Sequence, residues 1–201
     1  MNYWEIKSLA RGTRVYLRHA ETSVGVVGFL ESVTDSIMPG VAQVRLFENN
    51  KSYLTSTWEV HPYYLTEKDA ADILNEVIQG KNDFVYETPG YYEEDETGAK
   101  VWRDTDCTYS DPDGNPSCIV GHVMYKVLPE ALWQALVQDE WSGSGGGPVC
   151  ISASHHDLIC AVFEEDAVKV LGDAQVFQDG GATWGNSVRE AMVRIVHPDR
   201  R

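Results

Sequence analysis

The chain has 201 residues, of which 43% are hydrophobic, and it carries a net charge of −15 at pH 7. This length suits one large domain or two small ones, and the apolar content suffices for a buried core, which excludes wholesale disorder. No segment approaches the roughly 18 consecutive apolar residues of a membrane-spanning helix. The acidic balance argues against direct nucleic-acid binding, which depends on Lys and Arg against phosphates. It leaves open a basic partner, or acidic mimicry of DNA.

Four cysteines lie beyond residue 100: Cys107, Cys118, Cys150 and Cys160. The N-terminus has neither the apolar segment nor the cleavage site of a secretory signal, so we expect a cytoplasmic protein with reduced thiols. No cysteine pair has the C-x-x-C spacing of a zinc ribbon or a thioredoxin-like motif. His155 and His156, with the last two cysteines, fit no usual zinc site, since adjacent residues point in opposite directions on a strand. The sequence therefore predicts neither a metal nor a cofactor.

The first part of the chain, residues 1–65, contains four short runs with the alternation of β-strands. These runs cover residues 13–17, 24–33, 41–47 and 53–60, and their regular spacing is typical of a small barrel or sandwich. Gly25 and Gly28 lie in the second run, where glycine favours a bulge or a sharp bend. The order of the segments GTRVYL, GVVGFL and WEVHPYYL resembles that of an SH3-like barrel.

This resemblance implies an N-terminal SH3-like β-barrel that binds a peptide or nucleic acid, or docks within a larger protein. Small barrels share this strand pattern without sharing a function. Four aromatic residues are candidates to line a binding groove, and they are equally suited to a barrel core: Tyr53, Trp58, Tyr63 and Tyr64.

A linking helix is predicted over residues 66–80. Thr66 and Asp69 form an approximate capping box, with Asp in place of the usual Glu or Gln. The apolar side chains that follow fall on one helical face, and Gly80 supplies the C-terminal stop.

Residues 81–201 are predicted to form an α+β domain that is mostly helical after residue 117. We expect short strands at residues 84–86, 100–103 and 107–109, a flexible glycine-rich loop at 142–148, and helices at 117–128, 130–138, 166–178 and 183–196. Thr183 is a suitable cap for the last helix. A solvated loop is predicted for four consecutive acidic residues: Glu93, Glu94, Asp95 and Glu96.

A turn-forming segment, DPDGNP, leads into the helix at residues 117–128. Its acidic residues resemble the start of an EF-hand calcium loop, but Pro116 and His122 occupy the positions that require Gly and Glu. A tight turn is predicted instead, because Asp-Gly and Asn-Pro dipeptides are turn formers. Gly121 lowers the helix propensity, so a close helix crossing is expected at that residue.

Cys118 begins this helix and is a candidate nucleophile. A thiol at a helix N-terminus has a lowered pKa, and papain-like hydrolases place their nucleophile there. His155 or His156 would then be the base, with Asp157 orienting the imidazole. The alternative is a small buried cysteine in a core helix, since free cysteine is among the most buried residue types.

Two segments, DGNPSCIVGHVMYKVL and LGDAQVFQDGGATWGNSVREA, resemble a pattern in small uncharacterised proteins of actinobacteria and their phages. In that group a turn and a Cys-Ile-Val-Gly-His helix precede a Gln-Asp-Gly-Gly-x-x-Trp-Gly segment. The likeness spans residues 108–192 and implies an origin rather than a mechanism, with the host cytoplasm as the location if a phage encodes the chain. Trp184, in the first turn of the last helix, is expected to pack on the Cys118 helix.

These observations favour a non-enzymatic protein-interaction module, a phage or host accessory protein whose contacts are the barrel aromatics and the acidic run. The first alternative is a cysteine hydrolase that uses Cys118, and the second is an acidic DNA mimic. We expect a protein partner, no membrane and no direct nucleic-acid binding. The identity of the partner, the biological process and the oligomeric state are left open by the sequence.

Overall fold

The computed structural model shows an α+β protein with a five-stranded antiparallel sheet and several helices. The structure describes residues 1, 3–22, 24–47, 51–88, 91–94, 97–103, 107–141, 153 and 156–196. The chain divides into two compact units, Met1–Leu65 with Ala161–Glu164 and Thr66–Cys160 with Glu165–Arg201. None of the described helices is long and apolar enough to cross a membrane.

The first unit is built on the antiparallel sheet. Its elements are helix α1 (Tyr3–Lys7) and strands β1 (Arg14–His19), β2 (Gly25–Asp35), β3 (Ala42–Leu46), β4 (Ser52–Leu54) and β5 (Trp58–Pro62). The strand order is β4-β3-β2-β1-β5, so the last strand returns to pair with the first. No ladder joins β4 to β5 in the described residues, so the sheet is open and has two edges. The predicted α+β class is confirmed, and the closure expected of a barrel is not.

One face of this sheet forms the core of the first unit. Strand β1 alternates, with Val15 and Leu17 fully buried between more exposed neighbours, as the period of two in a strand requires. The other buried members of this core are Ile6, Leu30, Val44, Leu46, Tyr53 and Val60. The register of β2 shifts between Leu30 and Ser32. The irregularity predicted at Gly25 and Gly28 therefore lies further along the strand.

The second unit is mostly helical. Its elements are α2 (Glu67–Val77), the hairpin β6 (Tyr91–Glu94) and β7 (Lys100–Arg103), α3 (Ile119–Val127), α4 (Glu130–Glu140), α6 (Glu165–Asp179) and α7 (Trp184–Val196). The capping box predicted for α2 is confirmed, since Thr66 and Asp69 exchange side-chain and backbone hydrogen bonds. Thr183 also caps α7, because its Oγ1 accepts from Asn186 N at 3.3 Å.

Several local predictions for this unit need correction. Residues 84–86 and 107–109 are not strands: Val85 forms an isolated bridge with Thr183. Glu93 and Glu94 lie in strand β6 rather than in a loop, because they pair with Val101 and Lys100 of β7. Asp95, Glu96 and the predicted loop 142–148 lie outside the described residues.

A short helix, α5 (Asp157–Val162), follows the two adjacent histidines. The sequence interpretation placed these histidines on a strand, and that interpretation is wrong for His156. Its carbonyl oxygen accepts from Cys160 N at 3.0 Å, which is the first backbone hydrogen bond of the helix. His155 lies outside the described residues.

Candidate functional site

Cys118 occupies the N-cap position of α3 with extended backbone dihedrals. Its Sγ accepts a hydrogen bond from Gly121 N at 3.3 Å, so the thiol satisfies one of the free donors of the first helical turn. The residue is completely buried, with 0% of its surface exposed. A catalytic thiol must be reached by its substrate, and this environment is that of a structural cap.

A second cysteine, Cys107, lies near the start of α3. The neighbouring Cys118 thiol and burial raise the pKa of the Cys107 thiol far above its usual range. Gln178 of α6 links Cys107 to the first residue of α3. Its Nε2 donates to Cys107 Sγ at 3.4 Å, and its Oε1 accepts from Ile119 N at 2.7 Å.

The residues predicted to assist Cys118 serve other purposes. His156 is partly buried with its ring edge-on to Tyr109 at 5.3 Å, and its Nδ1 accepts from Leu158 N at 3.2 Å. Burial lowers the pKa of this imidazole. Asp157 is exposed at the start of α5. In the part of the chain that the structure describes, no hydrogen bond joins His156 to Cys118, so these two residues are not brought together. His155, the other predicted base, lies outside the described residues.

The turn before α3 is fixed by one carboxylate, because the DPDGNP segment folds around Asp111. Its Oδ1 accepts from Asp113 N at 3.0 Å and from Asn115 N at 2.8 Å. Gly114 has a φ of +84°, a left-handed conformation that favours glycine. The predicted tight turn is confirmed. Among the described residues, no group of three or more His, Cys, Asp or Glu side chains is arranged to hold a metal ion.

This turn is anchored to α4 by a buried acid, Glu140. Its carboxylate accepts from Tyr109 N at 2.6 Å, from Ser110 N at 2.9 Å and from Ser110 Oγ at 2.6 Å. Trp141 Nε1 in turn donates to Ser110 Oγ at 3.0 Å. Burial raises the pKa of Glu140 despite these hydrogen bonds. Nothing in the local sequence indicated this role, because a glutamate at a helix end is usually solvated.

Gly121 is required by the same turn. A Cβ at this position would lie 1.9 Å from the carbonyl oxygen of Tyr109. The close approach predicted for Gly121 therefore exists, but its partner is the backbone before α3 and not a crossing helix. Gly185 meets a similar restriction, since its Cβ would lie 2.9 Å from Asn82 O.

The remaining motif residues pack on each other. The His122 ring contacts the Trp184 ring edge-on at 5.2 Å, which confirms the predicted packing of Trp184 on α3. Lys81 Nζ donates to His122 Nε2 at 3.4 Å and lies 5.1 Å from the centre of the Trp184 ring. Burial, and then the Lys81 charge, lower the pKa of His122 to about 4. The Cys–Gly–His and Trp–Gly segments are thus accounted for by core packing.

The side of the first unit's sheet opposite its core presents a different surface, here called the outer face. It comprises Arg14, Tyr16 and Arg18 of β1, Gly25 and Val27 of β2, Glu59 and His61 of β5, and Tyr63 just after β5. A Cβ on Gly25 would lie 2.4 Å from the Tyr16 ring, so the ring occupies the space that a side chain at residue 25 would need. Arg18 binds Glu59 at 2.5 Å and lowers the pKa of that carboxyl.

Tyr63 and Arg14 form one end of the outer face. The Arg14 guanidinium lies 4.6 Å from the centre of the Tyr63 ring, and its Nη1 donates to Tyr63 O at 3.4 Å. Tyr63 N donates to Arg14 O at 2.9 Å and continues the β1–β5 ladder. Tyr63 keeps 48% of its surface exposed, so it is held in place and still available.

The predicted binding residues separate into two groups. Tyr53 is 7% exposed and packs edge-on against the partly buried Trp58 at 5.0 Å, so these two belong to the core. Tyr63 and Tyr64 are exposed. The side chain of Glu94 is exposed, whereas that of Glu93 lies outside the described part of the chain.

Sequence reasoning missed Arg14, Tyr16 and His61 as members of this surface. Their signal was present in the period-two alternation, since residues 14, 16 and 18 must face away from a core that takes Val15 and Leu17. Which residues would meet them across the sheet depended on the pairing of β1 with β5, and strand pairing is not encoded locally.

Charge is distributed unevenly along the chain. Residues 1–65 contain six basic and six acidic side chains, so the whole net charge of −15 falls on residues 66–201.

Comparison with known proteins finds no matching family, no matching curated protein and no matching solved structure. Function must therefore be inferred from the residues themselves.

Proposed function

We propose that this protein is a non-enzymatic protein-interaction module, a phage or host accessory protein, which binds its partner through the outer face of an SH3-like N-terminal unit. The return of β5 to pair with β1 supports the SH3-like interpretation. The observation that carries the proposal is the pairing of exposed Tyr63 with Arg14 on this face.

Tyrosine and arginine are the residue types that most often dominate protein interfaces. A tyrosine already fixed by a stacked guanidinium loses little conformational freedom on binding, which favours affinity. Arg14 makes no ion pair among the described residues, whereas Arg18 is neutralised by Glu59. A partner with a carboxylate near an apolar or aromatic side chain would complement both Arg14 and Tyr63.

The charge distribution supports the same surface. The outer face lies in the part of the chain without net charge, so an acidic partner segment meets less repulsion there than over residues 66–201. This argument favours the outer face over the acidic residues around Glu94 as the main contact. Binding through the outer face does not require the protein to mimic DNA. Acidic mimicry of DNA by residues 66–201 stays a separate prediction.

Affinity capture from lysate of the encoding organism tests the proposal, with quantitative mass spectrometry of the bound proteins. Tyr63→Ala and Arg14→Gln should each reduce recovery of the same protein at least tenfold, since a hot-spot residue contributes about 2 kcal/mol or more. The matched control is Tyr125→Ala, which removes a tyrosine of similar exposure (55%) from the second unit. The control should leave recovery unchanged.

A protein recovered equally by all variants would refute the outer face as the binding site. Glu94→Lys distinguishes the acidic-run version, because Glu94 is the described and exposed member of that run. Loss of recovery with Glu94→Lys alone would transfer the interaction to residues 93–96. Folding of each variant is verified by circular dichroism before capture.

A further inference from the structure

Helix α7 and the C-terminal end of α2 leave a groove between them in the second unit. Its volume is about 480 Å³, which lies in the range typical of sites for small organic molecules. The lining residues come from both helices: Asn75, Ile78, Gly185, Val188, Arg189, Met192 and Val193. We propose that this α2–α7 groove binds a small apolar molecule that carries one carboxylate group. The site is independent of the outer face and of the partner proposed for it.

The walls of the α2–α7 groove are apolar because of the helical spacing of α7. Its lining residues recur at intervals of three and four, so they share one face of the helix. Val188 and Ile78 are buried and form the floor, whereas Met192 and Val193 are only partly buried. A ligand seated here would remove the apolar surface of these two side chains from water, which favours binding.

Arg189 supplies the positive charge of the groove. It is exposed, and among the described residues that line the groove it is the one with a charged side chain. Its Nη1 donates to Asn186 Oδ1 at 2.9 Å. No carboxylate pairs with Arg189 in the described part of the chain, whereas Arg194 on the same helix binds Asp173 at 2.7 Å. A guanidinium carries five N–H donors, so Arg189 keeps donors for an anion.

The charge of the surrounding chain defines the ligand further. Residues 66–201 carry the whole net charge of −15, and Lys68, Lys126 and Lys169 all form ion pairs within them. An unpaired guanidinium beside apolar surface therefore complements a molecule that joins an anionic group to an apolar body. A single carboxylate fits better than a doubly charged phosphate, because the acidic surroundings repel the second charge.

The test titrates the full chain with octanoate and follows the methionine methyl groups by NMR after labelling them with carbon-13. Met192 lines the groove, whereas Met38 is an exposed residue of the first unit. We expect octanoate to shift the Met192 signal to saturation and to leave the Met38 signal unchanged. The uncharged analogue 1-octanol should bind more weakly by about tenfold or more, because it cannot make a charge-assisted hydrogen bond with Arg189. Met192→Leu assigns the reporter signal.

Variants separate the charge from the apolar walls. Arg189→Gln should weaken octanoate binding by about tenfold or more and leave the binding of 1-octanol unchanged. Lys68→Gln is the matched control, because it removes one positive charge from an exposed side chain of α2 that does not line the groove. Val193→Trp should abolish the binding of both compounds, since the indole ring fills the groove from a partly buried position. Circular dichroism verifies the folding of each variant.

Three results would overturn the proposal. One is a Met192 signal that millimolar octanoate does not shift. Another is equal affinity of the native chain and Arg189→Gln for octanoate, because the guanidinium would then not recognise the carboxylate. The third is a dimer in sedimentation that Val193→Trp dissociates, which would assign the α2–α7 groove to a second copy of this chain.

Discussion

Glu140 offers the sharpest test of how the second unit is held together. It is the last residue of α4, and its carboxylate binds the backbone N–H groups of Tyr109 and Ser110, both of which are buried. Replacing it by alanine leaves both donors without an acceptor in the protein interior. We expect Glu140→Ala to destabilise the fold and to loosen the turn that precedes α3.

The magnitude follows from the hydrogen bonds. Each buried donor left unsatisfied costs about 1–3 kcal/mol, so Glu140→Ala should lower the free energy of unfolding by roughly 4 kcal/mol. Glu140→Gln keeps one acceptor oxygen but turns an NH2 group toward a donor, and about 2 kcal/mol should be lost. Glu130→Gln is the matched control, since Glu130 is exposed on the same helix, and it should change stability by less than about 1 kcal/mol.

The pH dependence gives a second readout of the same group. Burial raises the pKa of Glu140 in the folded protein, so the folded chain binds this proton more tightly than the unfolded chain. Stability from this group is therefore fully present below the unfolded pKa and is lost as the pH rises through the folded pKa. The stability difference between the native sequence and Glu140→Gln should be largest below the unfolded pKa of 4.5 and should shrink at higher pH.

Urea unfolding followed by tryptophan fluorescence measures both effects, because Trp141 contacts the Ser110 hydroxyl that binds Glu140. The slope with urea must stay constant for the free energies to be comparable. A loss below about 1 kcal/mol for Glu140→Ala would refute the anchoring role. A stability difference that grows with pH would show that the three hydrogen bonds outweigh burial.

Three further changes test other parts of the structure. Gly121→Ala should prevent native packing, because the new Cβ would lie 1.9 Å from Tyr109 O. The matched control is Gly172→Ala on α6, whose Cβ would meet nothing within 4 Å, so this variant should be neutral or stabilising. Thermal melting of the two variants compares their stabilities. Thr66→Ala should cost about 1 kcal/mol in urea unfolding through loss of the α2 cap; an unchanged midpoint would contradict the capping role. Burial lowers the pKa of His122 in the folded protein to about 4, below its usual 6.5, so stability should fall as the pH drops from 6.5 toward 4. His122→Gln should reduce this loss of stability between pH 6.5 and pH 4. An unchanged dependence of stability on pH in this variant would contradict the lowered pKa of His122.

The sequence by itself determined those features that depend on near neighbours in the chain. The capping box at Thr66, the Asp111 turn and the helix from Ile119 follow from local hydrogen bonding and apolar periodicity, and each is observed. The alternation of β1 likewise follows from the strand period. These features need no knowledge of what lies across the fold.

Only the tertiary structure decided which of the candidate residues are buried in the core and which are exposed for binding. Cys118 had the local setting of a nucleophile, but packing buried it completely and left its Sγ to accept from Gly121 N. Tyr53 and Tyr63 look alike in sequence, and strand pairing sent one into the core and left the other exposed beside Arg14. The burial of a side chain and the residues it contacts depend on segments that are distant in the chain. The local sequence pattern could therefore name these residues as candidates, and only the fold could decide whether each is buried or exposed.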